Sequence, residues 1–259
     1  MLPTVFISHG SPMLAIEPGP YGAAWKAIAE SLPRPKSILV VSAHWNTRQP
    51  ALSLAVTPET IHDFGGFPSA LYEIKYPAPG APDLAQQVQA LLAKAGLPVV
   101  MAPDRGLDHG AWVPLQQMYP DADIPVTELS VQPGLDAAWH LRLGDALRSL
   151  RENDVLVIGS GSLTHNLYEA AFDDESIEPS EEYAREFQSW LYGALMRGDR
   201  TALMTWQSAA PHAHRAHPTT EHLLPLFVAY GAGGEHPAVQ RPLANFSLGV
   251  LAMDCYVFS

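Results

Sequence analysis

The sequence predicts a single α/β domain over residues 1–259, with a central, largely parallel or mixed β-sheet flanked by helices. Short runs rich in β-branched residues alternate with segments whose apolar residues recur at helical spacing. Several runs are continuously apolar, which is typical of strands covered on both faces. The sequence contains neither an internal repeat nor a linker that would divide the chain, so one domain is expected.

The short apolar runs predict the strands of this sheet. Six are predicted, at residues 3–7, 37–42, 52–56, 99–101, 125–130 and 155–158. The last segment, residues 247–258, is predicted as a further strand that closes the sheet.

Helices are predicted between these strands, at residues 83–95, 136–150 and 180–196. In the second of them Trp139, Leu143 and Leu147 recur at helical spacing, and the first ends just before Gly96, a common stop signal. The third opens with Ser180. Strands that alternate with helices indicate βαβ units, which is why a largely parallel sheet is expected.

Composition excludes several classes of function. Hydrophobic residues make up 47% of the chain and charged residues 16%, a balance that favours a folded core. A net charge of −12 without any basic segment argues against nucleic-acid binding. No run of about 18 apolar residues predicts a membrane span, and the first residues do not resemble a secretory signal. We therefore expect a cytoplasmic protein, with a monomer as the default.

Cys255 is the only cysteine. An intrachain disulfide and a thiolate metal cluster are both excluded by this count. Any metal ligands must then be imidazoles and carboxylates, a donor set that suits Zn²⁺ or Fe²⁺.

Histidines follow three of the predicted strands. His9 comes directly after the first strand, His44 after the second, and His165 after residues 155–158, across a turn of glycines and serines. In an open α/β sheet, ligands bind beyond the carboxyl ends of the strands. One histidine at such an end is more often a structural, hydrogen-bonded residue. Three of them in Gly/Ser-rich turns favour a shared metal or catalytic site.

A fourth group of histidines lies in residues 211–222. A helix is predicted to begin near residue 218, with His222 in its first turns. Either His222 or Glu221 is a candidate ligand, and because they are adjacent on the predicted helix they point about 100° apart, so one of them is expected to reach a metal. His212 and His214 are interpreted as residues of a solvated polar loop, and His217 is intermediate.

The remaining histidines and motifs are less specific. His109 precedes a helix predicted to start near Ala111, and it is a candidate base facing a substrate or a structural residue. His140 and His236 are assigned to structure or solvent. A phosphate loop, an H-E-x-x-H motif and a dinucleotide fingerprint are all missing from the sequence. Residues 159–163 depart from the G-x-S-x-G pattern, which disfavours a serine hydrolase.

Seven segments together resemble the class III extradiol ring-cleavage dioxygenases, in the branch of the 4,5-DOPA extradiol dioxygenases. They occur in the family's order, from near the N-terminus to past residue 220. The segments are Ser8-His9-Gly10-Ser11-Pro12, Ser42-Ala43-His44-Trp45, Asp63-Phe64-Gly65-Gly66-Phe67-Pro68, Tyr76-Pro77-Ala78-Pro79-Gly80, Gly106-Leu107-Asp108-His109-Gly110-Ala111-Trp112, Gly159-Ser160-Gly161-Ser162-Leu163-Thr164-His165-Asn166 and His217-Pro218-Thr219-Thr220-Glu221-His222.

The resemblance implies one mononuclear non-haem divalent metal. It makes His9 and His44 metal ligands, and His222 completes the set. His165 would lie beside the metal as a base or a fourth ligand, and His109 would face the substrate. In relatives outside this branch the third ligand is a glutamate, so Glu221 beside His222 leaves the third ligand open. An all-imidazole set suits Zn²⁺ as well as the Fe²⁺ required for dioxygenase activity.

The implied reaction inserts O₂ into a catechol ring, on a substrate that resembles 4,5-DOPA. His165 or His109 would accept and return a proton, since the pKa of imidazole lies near neutrality. Trp45, Phe67 and Tyr72 either wall an apolar pocket or belong to the core. Two alternatives stay open: a zinc-dependent hydrolase that uses the same histidines, and a non-catalytic metal-binding scaffold.

Overall fold

A computed structural model describes residues 1–172 and 176–259. Its strands are β1 (Thr4–Ser8), β2 (Ser37–Asn46), β3 (Ala51–Ser53), β4 (Val100–Ala102), β5 (Val126–Val131), β6 (Val155–Gly161), β7 (Val239–Leu243), β8 (Phe246–Ser247), β9 (Leu251–Ala252) and β10 (Cys255–Phe258). Its α-helices are α1 (Gly19–Ser31), α2 (Ser69–Tyr72), α3 (Pro82–Lys94), α4 (His109–Met118), α5 (Ala137–Ala146), α6 (Glu182–Met196), α7 (Arg200–Met204), α8 (Trp206–Ala209), α9 (Ala213–Ala216) and α10 (Leu224–Gly233). Two 3₁₀ helices span Pro12–Ala15 and Arg148–Asn153.

Eight strands form one mixed sheet, in the order β4-β3-β5-β2-β6-β1-β10-β7. The four central strands, β5, β2, β6 and β1, are parallel to one another. Strand β10 pairs antiparallel with β1 and with β7, and β3 pairs antiparallel with β5. The predicted α/β fold with a central mixed sheet is confirmed.

The alternation of side chains along the central strands builds two cores. In β1, Phe6 packs into the core on one face of the sheet, whereas Val5 and Ile7 pack into the core on the other. The first core holds residues of α3, α5, α6 and α10, and the second holds residues of α1 and α4. Both faces are therefore covered, which explains why these strands are apolar along their whole length.

The C-terminal segment differs from the prediction of one strand over residues 247–258. Strands β8 and β9 form a separate two-stranded hairpin, and only β10 joins the main sheet. Leu248, Gly249 and Val250 connect β8 to β9, and the first two have φ angles of 51° and 72°. Positive φ at two consecutive residues is typical of tight hairpin turns, and it breaks the segment into short strands.

The strand predicted over residues 52–56 ends earlier, at Ser53. Most other boundaries lie within two residues of those predicted, but two strands are longer. Strand β2 runs on to Asn46, so His44 lies inside the strand rather than after it, and β6 runs on to Gly161. The helix predicted over residues 136–150 is shorter: Asp136 caps α5 by accepting from the backbone N–H of Trp139, and a 3₁₀ helix follows. Among the described residues, no helix combines the length and the apolar character needed to cross a membrane.

Candidate metal and active site

Three imidazole rings meet at the carboxyl end of the central strands. His9 directly follows β1, His44 lies near the end of β2, and His222 lies in the turn that precedes α10. The Nε2 atom of His44 is 3.0 Å from Nε2 of His9 and 3.3 Å from Nε2 of His222. His9 and His222 are almost completely buried. The side chain of His44 is 22% exposed, so three Nε2 atoms face one another at a site that solvent reaches beside His44.

The opposite nitrogen of each ring, Nδ1, faces an oxygen acceptor. These contacts pair His9 with Ser160 Oγ at 3.0 Å, His44 with an oxygen of Asp63 at 3.3 Å, and His222 with an oxygen of Glu221 at 3.0 Å. Ser160 donates its own proton to the carbonyl of Gly110, so its oxygen accepts from His9. Carboxylates accept as well. The proton of each ring is therefore on Nδ1, and the three Nε2 atoms present lone pairs to each other.

This donor set fits a divalent metal ion. Lone pairs at 3.0–3.3 Å repel one another unless a cation lies between them. Nitrogens bound tetrahedrally to Zn²⁺ at 2.0–2.1 Å would lie about 3.3 Å apart, close to the spacing seen here. Burial, together with the neighbouring imidazoles, holds the pKa of His9 and of His222 well below the usual value. Burial also lowers the pKa of His44 to about 4. All three rings are thus neutral at pH 7, the form that binds metals.

The backbone that places His222 is not helical. The predicted helix start near residue 218 is wrong, because α10 begins at Leu224 and residues 221–223 form a turn. The carbonyl of His222 accepts a hydrogen bond from the backbone N–H of Ser162 at 2.8 Å, which ties this turn to the end of β6. A Cβ on Gly161 would lie 2.0 Å from the same carbonyl. Only glycine allows this approach of the turn to the strand.

His165 and His109 both join the cluster. The ring of His165 stacks on that of His222, with 3.4 Å between centroids and 9° between planes. Burial lowers the pKa of His165 to about 4, and in the described part of the chain the ring has no hydrogen-bond partner.

His109 is the first residue of α4, which begins two residues earlier than predicted, and its ring centroid is 3.9 Å from that of His44. The structure thus brings together all five histidines predicted for the site.

Asp63 is a site residue that no pattern in the sequence indicates as a ligand or a base. Its carboxylate contacts Nδ1 of His44 at 3.3 Å and Nδ1 of His109 at 3.0 Å. Burial acts to raise the pKa of Asp63, but the hydrogen bonds from the ring and the backbone N–H of His109 outweigh it and lower that pKa to about 2. One nitrogen or oxygen from each of His44, Asp63 and His109 lies within 4.8 Å of the others. The same holds for His165, Glu221 and His222.

A buried network of polar side chains holds the backbone of His44 at the end of β2. Ser42 accepts from the backbone N–H of His44 and donates to Asp108 at 2.6 Å. Asp108 is in turn paired with Arg105 at 2.6 Å, and the backbone N–H of Asp108 donates to Glu128. Burial and the neighbouring Asp108 raise the pKa of Glu128 well above its usual value. These charges are compensated within the network, so it fixes the end of β2 without presenting a free charge to the site.

Aromatic rings form one wall beside His109. Phe64 lies edge-on to His109 with 5.6 Å between ring centroids, and Phe67 and Tyr72 pack against Phe64 at 5.4 and 5.3 Å. Phe67 and Tyr72 were predicted as possible pocket walls, whereas Phe64, which makes the direct contact, was missed. Trp45, the third residue predicted for this wall, makes a cation–π contact: the guanidinium of Arg105 lies 4.9 Å from its ring centroid.

The other histidines lie in different surroundings. His212 is exposed and paired with Glu186 at 2.6 Å. His217 is buried between Phe187 and Trp206, and its Nε2 donates to the carbonyl of Leu163. His214 is exposed on the short helix α9, so the loop predicted there is partly helical.

The fold and the site define an α/β protein with a buried histidine cluster suited to one divalent metal. The chain matches, over residues 3–251, the model of the catalytic LigB subunit of aromatic ring-opening dioxygenases. It therefore belongs to the LigB family, and the predicted class, an extradiol ring-opening dioxygenase, is confirmed.

Similar proteins cover nearly the whole chain. A protein of Beta vulgaris named 4,5-DOPA dioxygenase extradiol is 44% identical over 99% of this chain and 96% of its own length. A protein of the same name from Escherichia coli K12 is 38% identical over 97% of this chain and 93% of its own length. The solved structure of an uncharacterized protein of Escherichia coli K12 superposes with a TM-score of 0.82 and 31% identity, covering 100% of both chains.

Proposed function

We propose that this protein inserts O₂ into the ring of a catechol that resembles 4,5-DOPA and opens the ring. The observation that carries the proposal is the convergence of three unprotonated Nε2 atoms, those of His9, His44 and His222, beside two further histidines and an aromatic wall. The names of the relatives support the choice of substrate class.

The metal of this proposal is held by His9, His44 and His222. Glu221 is then the hydrogen-bond partner of the third ligand rather than the ligand itself, because its carboxylate accepts from His222 Nδ1. Fe²⁺ in this set would supply the redox chemistry that lets O₂ react with an aromatic ring, and Zn²⁺ fits the same three imidazoles.

The chain supplies proton transfer and an apolar wall. His109 holds its proton on Nδ1, toward Asp63, so its Nε2 is an acceptor for a catechol hydroxyl proton. The neutral ring of His165, which stacks on that of His222, is a second acceptor. Phe64 offers an aromatic edge against which a substrate ring packs, and this contact excludes water beside His109.

The proposal also covers the localisation, the oligomeric state and the partners of the enzyme. We propose a cytoplasmic monomer whose partners are a small catechol and O₂, with neither a nucleic acid nor a membrane. The net charge of −12 supports the exclusion of nucleic acid.

The test is anaerobic loading of metal-free protein with Fe²⁺, followed by a panel of catechols that includes L-DOPA. We expect O₂ consumption in step with a yellow ring-opened product, and none with the Zn²⁺-loaded protein. If the iron-loaded protein consumes no O₂ with any catechol, the proposal is wrong. Hydrolysis by the zinc form would then indicate the hydrolase, and metal binding without catalysis would indicate the scaffold.

The ligand assignment is tested by metal content. We expect His9→Ala and His44→Ala each to abolish metal binding, because two imidazoles hold a divalent ion far more weakly than three. His212→Ala is the matched control, since that ring is exposed and paired with Glu186. Equal metal loss in all three variants would contradict the assignment.

A further inference from the structure

One carboxylate, that of Asp63, connects three segments of the site. It lies in the loop between β3 and α2, and it reaches both the end of β2 and the first residue of α4. Its Oδ2 is 3.3 Å from Nδ1 of His44, while Oδ1 is 3.0 Å from Nδ1 of His109 and accepts the backbone N–H of His109 at 3.0 Å. Each carboxylate oxygen of Asp63 thus contacts the Nδ1 atom of a different histidine.

The position of Asp63 is fixed by its two neighbours in sequence. On one side, Nε2 of His62 donates to the carbonyl of Ile74 at 3.0 Å. On the other, Phe64 packs edge-on against the ring of His109. The side chain of Asp63 is only 23% exposed. Both neighbours of Asp63 are therefore anchored, and the two oxygens of its carboxylate face the rings of His44 and His109.

This arrangement determines where the two rings carry their protons. A carboxylate only accepts, so both rings hold a hydrogen on Nδ1. Nε2 of His44 then presents its lone pair to Nε2 of His9 and of His222. Nε2 of His109 has no hydrogen-bond partner among the residues that the structure describes, so it is free to accept a proton.

We propose that Asp63 is a positioning residue that sets the Nδ1–H tautomer of His44 and of His109 together. Metal retention and proton transfer then depend on the same carboxylate. The proposal rests on the proposed function, in which His44 is a ligand and His109 a proton acceptor. The rival role for Asp63 is that of a ligand, since His44, Asp63 and His109 are close enough to share an ion.

The test variant is Asp63→Asn, which keeps the shape of the side chain but has one acceptor oxygen and one NH₂ donor. It satisfies only one Nδ1–H, and its NH₂ group forces the other ring to move its proton to Nε2. Asp63→Glu keeps both acceptors at a longer reach. Glu59→Gln is the matched control, because it removes one negative charge from an exposed side chain of the same loop.

Two readouts do not require catalysis. Competition of Zn²⁺ between metal-free protein and a chelator should show about 10–100-fold weaker binding in Asp63→Asn, the range typical of lost partners of metal-bound histidines. The stoichiometry should stay at one, and Glu59→Gln should match the wild type. Two-bond ¹H–¹⁵N spectra of histidine-labelled, zinc-loaded protein should show both rings with Nδ1–H in the wild type and in Asp63→Glu, and one ring with Nε2–H in Asp63→Asn.

Each other result overturns the proposal. Unchanged zinc affinity with both rings still Nδ1–H in Asp63→Asn would show that Asp63 sets neither tautomer. Complete loss of zinc in folded Asp63→Asn would make Asp63 a ligand. If Asp63→Asn does not fold, a changed tautomer in Asp63→Glu overturns the proposal. Failure of the iron-loaded wild type to consume O₂ would reject the proposed function alone, because both readouts here use the zinc form.

Discussion

The rings of His165 and His222 lie face to face, with 3.4 Å between their centroids and 9° between their planes. A ring nitrogen binds a metal through a lone pair in the plane of its ring. Two parallel rings at this separation do not direct their lone pairs at a common point. The stacking therefore favours His165 as a proton acceptor over His165 as a fourth ligand.

This relationship predicts that His165→Ala separates catalysis from metal binding. Zinc affinity should stay within a few-fold of the wild type, whereas kcat of the iron-loaded enzyme should fall by about 10²–10⁴-fold, the usual cost of losing a general acid–base group. His214→Ala, which removes an exposed imidazole, should change neither quantity. Loss of zinc from His165→Ala would instead identify a fourth ligand.

Much of this site was predictable from the sequence because strand ends are predictable. Continuous apolar runs located β1, β2 and β6, and the carboxyl ends of parallel strands meet at one edge of a sheet. His9 and His44 were found in this way. The sequence also indicates His222 as a candidate ligand, but it predicts a helix where the structure has a turn. A tertiary contact decides this difference: the carbonyl of His222 accepts from the backbone N–H of Ser162 and not from a residue of the same helix. Such a contact has no signature in the local sequence.

The residues that were missed act through side-chain contacts over long sequence distances. Asp63 and Ser160 hold rings that are 19 to 151 positions away along the chain. Neither residue has a periodicity or a spacing that indicates such a contact. The one hint of a role is that both residues lie inside segments that carry the family resemblance, Asp63 before Phe64 and Ser160 after Gly159.

The contact between Glu221 and His222 gives a second prediction. Oε1 of Glu221 accepts from Nδ1 of His222 at 3.0 Å and from the hydroxyl of Thr219 at 2.8 Å. Glu221→Gln keeps an acceptor oxygen but loses the charge, so zinc affinity should fall by about 10–100-fold with one ion still bound. His222→Ala should abolish binding. Chelator competition measures both.

The matched control is Glu186→Gln, which makes the same change beside the exposed His212. It should bind zinc as the wild type does. The reverse pattern, with no zinc in Glu221→Gln and full binding in His222→Ala, would make Glu221 the third ligand.

Gly110 gives a third prediction, because a Cβ there would meet the support of His44. The added carbon would lie 2.6 Å from Ser42 Oγ, 3.2 Å from Asp108 Oδ1 and 3.2 Å from Cδ2 of His44. Gly110→Ala should lower the free energy of unfolding by about 1–3 kcal/mol, as overpacking does, and should also weaken zinc binding. Gly134→Ala, with no heavy atom within 4 Å of the new carbon, is the control. Urea unfolding that gave equal stabilities would contradict this account.

His140 gives a prediction about pH that is independent of the metal site. It is fully buried in α5; its Nδ1 donates to the carbonyl of Asp136 at 2.8 Å, and its Nε2 accepts from the backbone N–H of Gln132 at 3.3 Å. A proton on Nε2 would break the second bond. Burial lowers the pKa of His140 to about 4, whereas in the unfolded chain the pKa is about 6.5.

Between these two values the unfolded state binds a proton that the folded state does not. This contribution to stability is therefore fully present above pH 6.5 and is lost as the pH falls toward 4, at up to about 1.4 kcal/mol per pH unit. His140→Gln has no such group, so its free energy of unfolding should fall less steeply over this range than that of the wild type, although it is lower at pH 7. His214→Gln, at an exposed position, should follow the wild type. Urea unfolding of metal-free protein at pH 7, 6 and 5 measures how steeply the free energy of unfolding depends on pH. Equal slopes for His140→Gln and the wild type would show that His140 takes up its proton equally in the folded and the unfolded state.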